Sequence, residues 1–105
     1  MALPKVNRLK SKKDFDSVFK KGNAVRGNFL FIKTQKNNNS FPRFGLVVPA
    51  KIIPGAVARN RIKRLWAETV KKSMNKWTGY DVVVVLQKKG EENNLVLELS
   101  ELLAK

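Results

Sequence analysis

Arg59, Asn60, Arg61, Lys63 and Arg64 place four cations and an amide within six positions, where an amphipathic helix is predicted to begin. Cations and backbone N–H groups at a helix start suit a chain of phosphates. Like charges at neighbouring helical positions repel, so folding alone does not account for this density. Glu68 is the acidic residue near enough to pair within the helix. The cluster therefore points to nucleic-acid backbone contact rather than to a merely solvated face. Asn60 can meet a base edge or cap the helix.

A second set is aromatic. Phe15 and Phe19 stand one helical turn apart, and Phe29 and Phe31 share a predicted strand face that ends in Lys33. Aromatics interleaved with cations stack unpaired bases. Core packing is the commoner use of any one phenylalanine. Both uses coexist if Leu30 and Ile32 face the main helix while Phe29 and Phe31 meet the first helix along a cleft. A single strand threading past a sheet needs planar surfaces and cations. Phe15, Phe19 and Phe31, with Lys33 and Arg43, are the residues placed there, with Phe29 as the alternative to Phe31.

Other chemistry finds little support. There is no histidine, which removes the commonest general base, and no cysteine, which removes disulfides and thiolate ligands. Asp14 and Asp16 diverge on a helix, and Asp81 stands at a strand start. Nothing forms a nuclease carboxylate cluster, a phosphate-cradling glycine loop or a nucleophile–base pair. No metal site is expected on the protein.

The chain has 105 residues, 43% of them hydrophobic, and a formal charge of +14. One RNA-binding domain, residues 1–105, is the expectation. Residues 1–80 hold 19 Lys/Arg and 3 Asp/Glu, a net +16, and residues 81–105 hold 3 and 5, a net −2. An anionic polymer would relieve the self-repulsion of so cationic a body. No apolar run approaches the ~18 residues of a membrane span, and no signal peptide is evident, so the cytoplasm is the expected location.

The elements that must position these residues follow from periodicity. Ser11 to Lys20 reads as a helix capped by Ser11, with Phe15, Val18 and Phe19 on one face and Gly22 as its stop. A short strand is possible near Ala24–Arg26. Asn28 to Gln35 reads as a strand. Lys36-Asn37-Asn38-Asn39-Ser40 reads as a hairpin loop to a second, antiparallel strand, Arg43 to Val48. Phe44, Leu46 and Val48 share one face of it; Arg43, Gly45 and Val47 share the other. Val57 to about Asn75 is the main helix, with Ile62, Leu65, Trp66, Thr69, Val70, Met74 and Trp77 as its apolar stripe. Trp66 and Trp77 read as core. Tyr80 to Leu86 is a strand covered on both faces. Leu95, Val96, Leu99, Leu102 and Leu103 make a last helix. The strand–helix–strand unit should be parallel. The class is α+β, a two-layer sandwich on a small mixed sheet in α-β-β-(β)-α-β-α order.

Ala56-Val57-x-Arg59-Asn60-Arg61-x-Lys63-Arg64 resembles the signature of the bacterial ribonuclease P protein subunit. Arg8-Leu9, Asp14-Phe15 and Val18-Phe19-Lys20-x-Gly22 are similar to that family's N-terminal block. Arg43-x-Gly45 with Val47, and Gly79-Tyr80-Asp81 with the valine run, are similar to its later strands. The resemblance implies a protein that binds ribonuclease P RNA and the 5′ leader of precursor tRNA, in a cleft between first helix and sheet. It implies Mg²⁺-dependent removal of the leader by the RNA, with Mg²⁺ held mainly by RNA and substrate. It implies RNA contacts at Arg59, Asn60, Arg61, Lys63 and Arg64, cleft aromatics at Phe15 and Phe19, and a left-handed strand–helix–strand crossover against the usual rule. Lys51 and Lys71 complete the expected RNA-binding set. Ala67 stands where the family often has Arg, Pro49-Ala50-Lys51 replaces a Ser-Lys-Lys run, the Ile52–Gly55 segment is about one residue longer than in many relatives, and Ile32 replaces a common aromatic. The rival reading is another ribosome- or RNA-associated basic binding protein. No membrane and no small-molecule cofactor are expected.

Overall fold

Ser11 accepts a hydrogen bond from the Asp14 backbone N–H at 3.1 Å, the cap that its spacing predicts. It starts α1 (Lys12–Lys21), and Gly22 ends it. The structure, a computed structural model, describes residues 3–104. The other elements are β1 (Asn23–Arg26), β2 (Leu30–Lys36), β3 (Arg43–Val47), α2 (Ala56–Lys71), β4 (Tyr80–Leu86) and α3 (Glu92–Leu103). Short 3₁₀ turns occur at Lys5–Asn7 and Met74–Trp77.

The sheet order is β1-β2-β4-β3. β1 pairs antiparallel with β2, β2 antiparallel with β4, and β3 parallel with β4. The β3-α2-β4 unit is thus parallel, as expected. The predicted β2–β3 hairpin is corrected. The two strands run in opposite directions, but β4 lies between them. Its run Val82-Val83-Val84-Val85-Leu86 is apolar on both faces, which suits the centre of a sheet rather than an edge. The asparagine-rich segment therefore bridges over the start of β4. The Asn37 N–H donates to the Gly79 carbonyl at 2.8 Å, and its side-chain amide donates to Asp81 Oδ1 at 2.7 Å.

One face of the sheet carries Leu30, Ile32, Phe44, Val82, Val84 and Leu86. Ile62, Trp66 and Val70 of α2 and Leu95, Leu99, Leu102 and Leu103 of α3 bury it. This is the main core. On the other face α1 packs Val18 onto Val83 and Leu9, with Phe15 and Phe19 alongside. β4 is therefore covered from both sides.

Two predicted placements are corrected. α2 stops at Lys71, four residues earlier than expected, and the chain tightens into the 3₁₀ turn before Gly79, whose φ of +84° reverses it. Met74 and Trp77 still pack against the main core, and Trp77 meets Tyr80 edge-on at 5.7 Å. Phe29 precedes β2 and leaves its alternation. Its ring lies by Gly90 on the main-core side, away from α1. The cause is a turn: its N–H donates to the Glu98 carboxylate of α3 at 2.9 Å, and its carbonyl accepts from Gln87 and Lys88.

Candidate RNA interface

The strand registers arrange the α1-side face in rows across β2, β4 and β3. Phe31, Val85 and Val47 form one row; Lys33, Val83 and Gly45 the next; Gln35, Asp81 and Arg43 the third. α1 lies over the second and third rows. Val18 packs on Val83, Ser17 bonds Gln35 at 3.1 Å, and Asp14 meets Arg43 at 3.3 Å. The first row stays half-exposed along its length. A shallow strip thus runs beside α1, with Phe31, Val85 and Val47 as its floor.

Cations flank this strip. Arg26 of β1 lies over the Phe31 ring at 5.4 Å, and Lys33 Nζ lies 6.0 Å from the Phe19 centroid while donating to the Phe19 carbonyl. Phe31 belongs to neither buried cluster, so of Phe29 and Phe31 it is the one open to this side. Phe15 and Phe19 are half-buried. Arg43 is held differently. Its guanidinium donates twice to Asp81, at 2.8 and 2.6 Å, and this bond outweighs burial to raise its pKa. Its charge is committed within the protein.

Gly55 begins α2 without a side-chain cap, so its first amides are not claimed by a capping side chain. Ile62 and Trp66 are buried, Leu65 is half-buried, and Asn60, Arg61 and Arg64 are exposed. The five signature residues divide. Asn60, Lys63 and Arg64 line a groove of about 510 Å³ between α2, β3, α1 and the N-terminal segment. Its floor is Leu9, Phe15, Phe44, Gly45 and Leu46. Arg59 instead turns back, donating to the Ile53 and Pro54 carbonyls at 2.9 and 2.7 Å. Arg61 reaches away to Glu92 of α3 at 2.7 Å. Lys51 is exposed on the turn after β3, and Lys71 sits at the far end of α2, so neither borders the groove. Ala67 is buried and lines the groove wall, where a longer side chain would project into the space.

Two cations enter this surface that charge density alone did not single out. Arg8 rims the groove because the N-terminal segment lies beside β3, bridging Arg8 to Phe44 and donating the Leu9 N–H to the Phe44 carbonyl at 3.0 Å. Arg26 reaches Phe31 because the two are cross-strand partners. The short strand near Ala24–Arg26 was legible; its register was not. Among the described residues no group of three or more His, Cys, Asp or Glu could hold a metal ion. Among them no helix is long and apolar enough to cross a membrane.

A cationic groove, an aromatic strip and an α+β sheet covered unevenly on its second face define a small basic RNA-binding protein. A family profile described as Ribonuclease P matches residues 3–105. The chain is 37% identical over 89 residues to the "Ribonuclease P protein component" of Fusobacterium nucleatum, covering 84% of this chain and 79% of that one. It is 35% identical over 85 residues to that of Aliivibrio salmonicida, with coverages of 81% and 73%. Its fold matches the RNase P protein of Thermotoga maritima, solved in complex with 1-(4-fluorophenyl)-2-thiourea, with a TM-score of 0.83, 27% identity and coverage of 93% and 98%. A Staphylococcus aureus RNase P protein mutant with defective mRNA degradation activity gives 0.81, 28%, and coverage of 95% and 87%. The chain belongs to the ribonuclease P protein family. It is a protein component of that ribonucleoprotein enzyme, with a role in tRNA processing.

Proposed function

We propose that the α2 groove binds the catalytic RNA and that the strip beside α1 binds the 5′ leader of precursor tRNA. The observation that carries this is the position of Phe15. It floors the cationic groove and also packs among the α1 residues that wall the strip. The two surfaces are therefore continuous. Phosphates meet Arg8, Lys63 and Arg64; unpaired bases meet Phe31, Phe19 and Phe15.

In this reading the RNA subunit cuts and the protein positions. Asp14 and Asp81, at the end of the sheet that α1 crosses, are both engaged by Arg43, and among the described residues no acidic cluster offers a Mg²⁺ site. Mg²⁺ falls to the RNA and the substrate, and the reaction belongs in the cytoplasm. Residues 1–105 act as one RNA-binding domain.

The test combines purified protein with a bacterial ribonuclease P RNA and a precursor tRNA at low Mg²⁺. Leader removal should rise sharply when both are present. No stimulation, or equal leader removal by the protein without the RNA, would overturn the reading.

A further inference from the structure

Gln35, Asp81 and Arg43 lie side by side at one end of the sheet, on the face that α1 crosses. α1 is tied to both outer members of this row. The Ser17 hydroxyl bonds Gln35 Oε1 at 3.1 Å, and the Arg43 guanidinium donates to Asp14 Oδ2 at 3.3 Å. The ties are two strands apart, about 10 Å across the sheet, and about 4.5 Å apart along the helix. Two such points fix the direction in which a helix crosses a sheet. The apolar contacts of α1 do not do this alone, because hydrophobic attraction is non-directional and only Val18 among them is fully buried. Arg43 is itself immobilised, since the buried Asp81 holds it through two hydrogen bonds and also accepts from Asn37.

We propose that Asp14 is a positioning residue for leader binding: through Arg43 it sets the angle of α1, and hence the distance from Phe15 and Phe19 to the open row of Phe31, Val85 and Val47. The inference rests on the leader reading above. A carboxylate beside an RNA strand opposes binding by simple charge. Its contribution here is mechanical, and the two effects have opposite signs.

That opposition makes the test sharp. Asp14→Ala removes a negative charge from a protein of net +14, so charge alone predicts tighter leader binding. The N-cap survives, because Ser11 accepts from the Asp14 backbone rather than its side chain. Within the reconstituted holoenzyme, affinity is measured for precursors with long and with very short leaders. The expected result is a loss of about fivefold on the long leader, the ceiling for a partly exposed ion pair. Affinity for the short leader and for the RNA subunit should hold, and the melting temperature should change little. Asp14→Glu should restore most of the loss. Unchanged or tighter binding of the long leader would overturn the inference, as would equal losses on both substrates. A wild-type holoenzyme indifferent to leader length would instead bring down the leader reading itself, and this inference with it.

Discussion

The ring of Phe15 rests on the backbone of Gly45. A Cβ built at that glycine would lie 2.4 Å from one ring carbon and 2.6 Å from another. Gly45 is buried midway along β3, paired with Val83 of β4, so the contact seats the helix on the edge strand of the sheet. It lets Phe15 sit low enough to floor the groove while remaining half-exposed.

Gly45→Ala should therefore act on Phe15. The ring must move off the strand, because neither the strand nor the added methyl can yield. Overpacking of this kind costs about 1–3 kcal/mol. Thermal unfolding should show that loss, and the affinity for leader-bearing precursor should fall with it. A variant of wild-type stability and affinity would show that α1 rides on the sheet more loosely than described.

Two neighbouring arginines should behave differently when truncated. Arg64 is exposed on the groove rim, and no hydrogen bond or ion pair among the described residues engages it. Arg59 spans the Ile53 and Pro54 carbonyls that lead into α2. Arg64→Ala should weaken binding to ribonuclease P RNA and leave the melting temperature nearly unchanged. Arg59→Ala should cost about 1.5–3 kcal/mol of stability, as hydrogen bonds from a charged donor do. Paired melting curves and RNA titrations check both. A large thermal loss for Arg64→Ala with unchanged affinity would make it a structural residue.

Binding should depend steeply on salt. Arg8, Lys63 and Arg64 rim the groove, and Arg26 and Lys33 flank the strip. If these neutralise ~5 phosphates, log K falls with log[salt] at a slope of about −3.5 to −4.5. Titrations between low and physiological salt measure it. A flat dependence would argue that the groove takes an uncharged partner.

What could be read from the sequence was local. The Ser11 cap, the Gly22 stop and the phase of α2 from Ile62 to Val70 need only neighbours within a turn or two, and the structure has them. The valine run announced a strand covered twice. The errors come from distant partners. β4 separates β2 from β3 although it follows them by more than thirty residues, and no local pattern states which strand will intervene. Phe29 kept the alternation of β2 on paper, but Glu98 on α3 takes its N–H and turns it out of the strand. The Arg43–Asp81 pair is likewise invisible until β3 and β4 lie side by side. The basic cluster was legible as a cluster. Its division into Asn60, Lys63 and Arg64 in the groove, with Arg59 and Arg61 bound elsewhere, depends on where the Ile53–Pro54 loop and α3 come to rest.

Phe31 offers the cleanest probe of the leader strip. Phe15 and Phe19 pack against the second core cluster, so truncating either disturbs folding as well as binding. Phe31 lies outside both clusters, half-exposed, with the Arg26 guanidinium over its ring. A base can take the place of that cation or stack beside it, since both offer a planar face to the ring. Loss of one stacking contact costs ~1–3 kcal/mol. Phe31→Ala should therefore weaken a long-leader precursor by that amount within the holoenzyme. It should leave a precursor with a very short leader, and the affinity for the RNA subunit, close to wild type. Phe31→Tyr keeps the ring and should keep the affinity. Equal losses on both precursors, or none on either, would move the leader off this row of the sheet and leave the α2 groove as the place where single-stranded RNA is held.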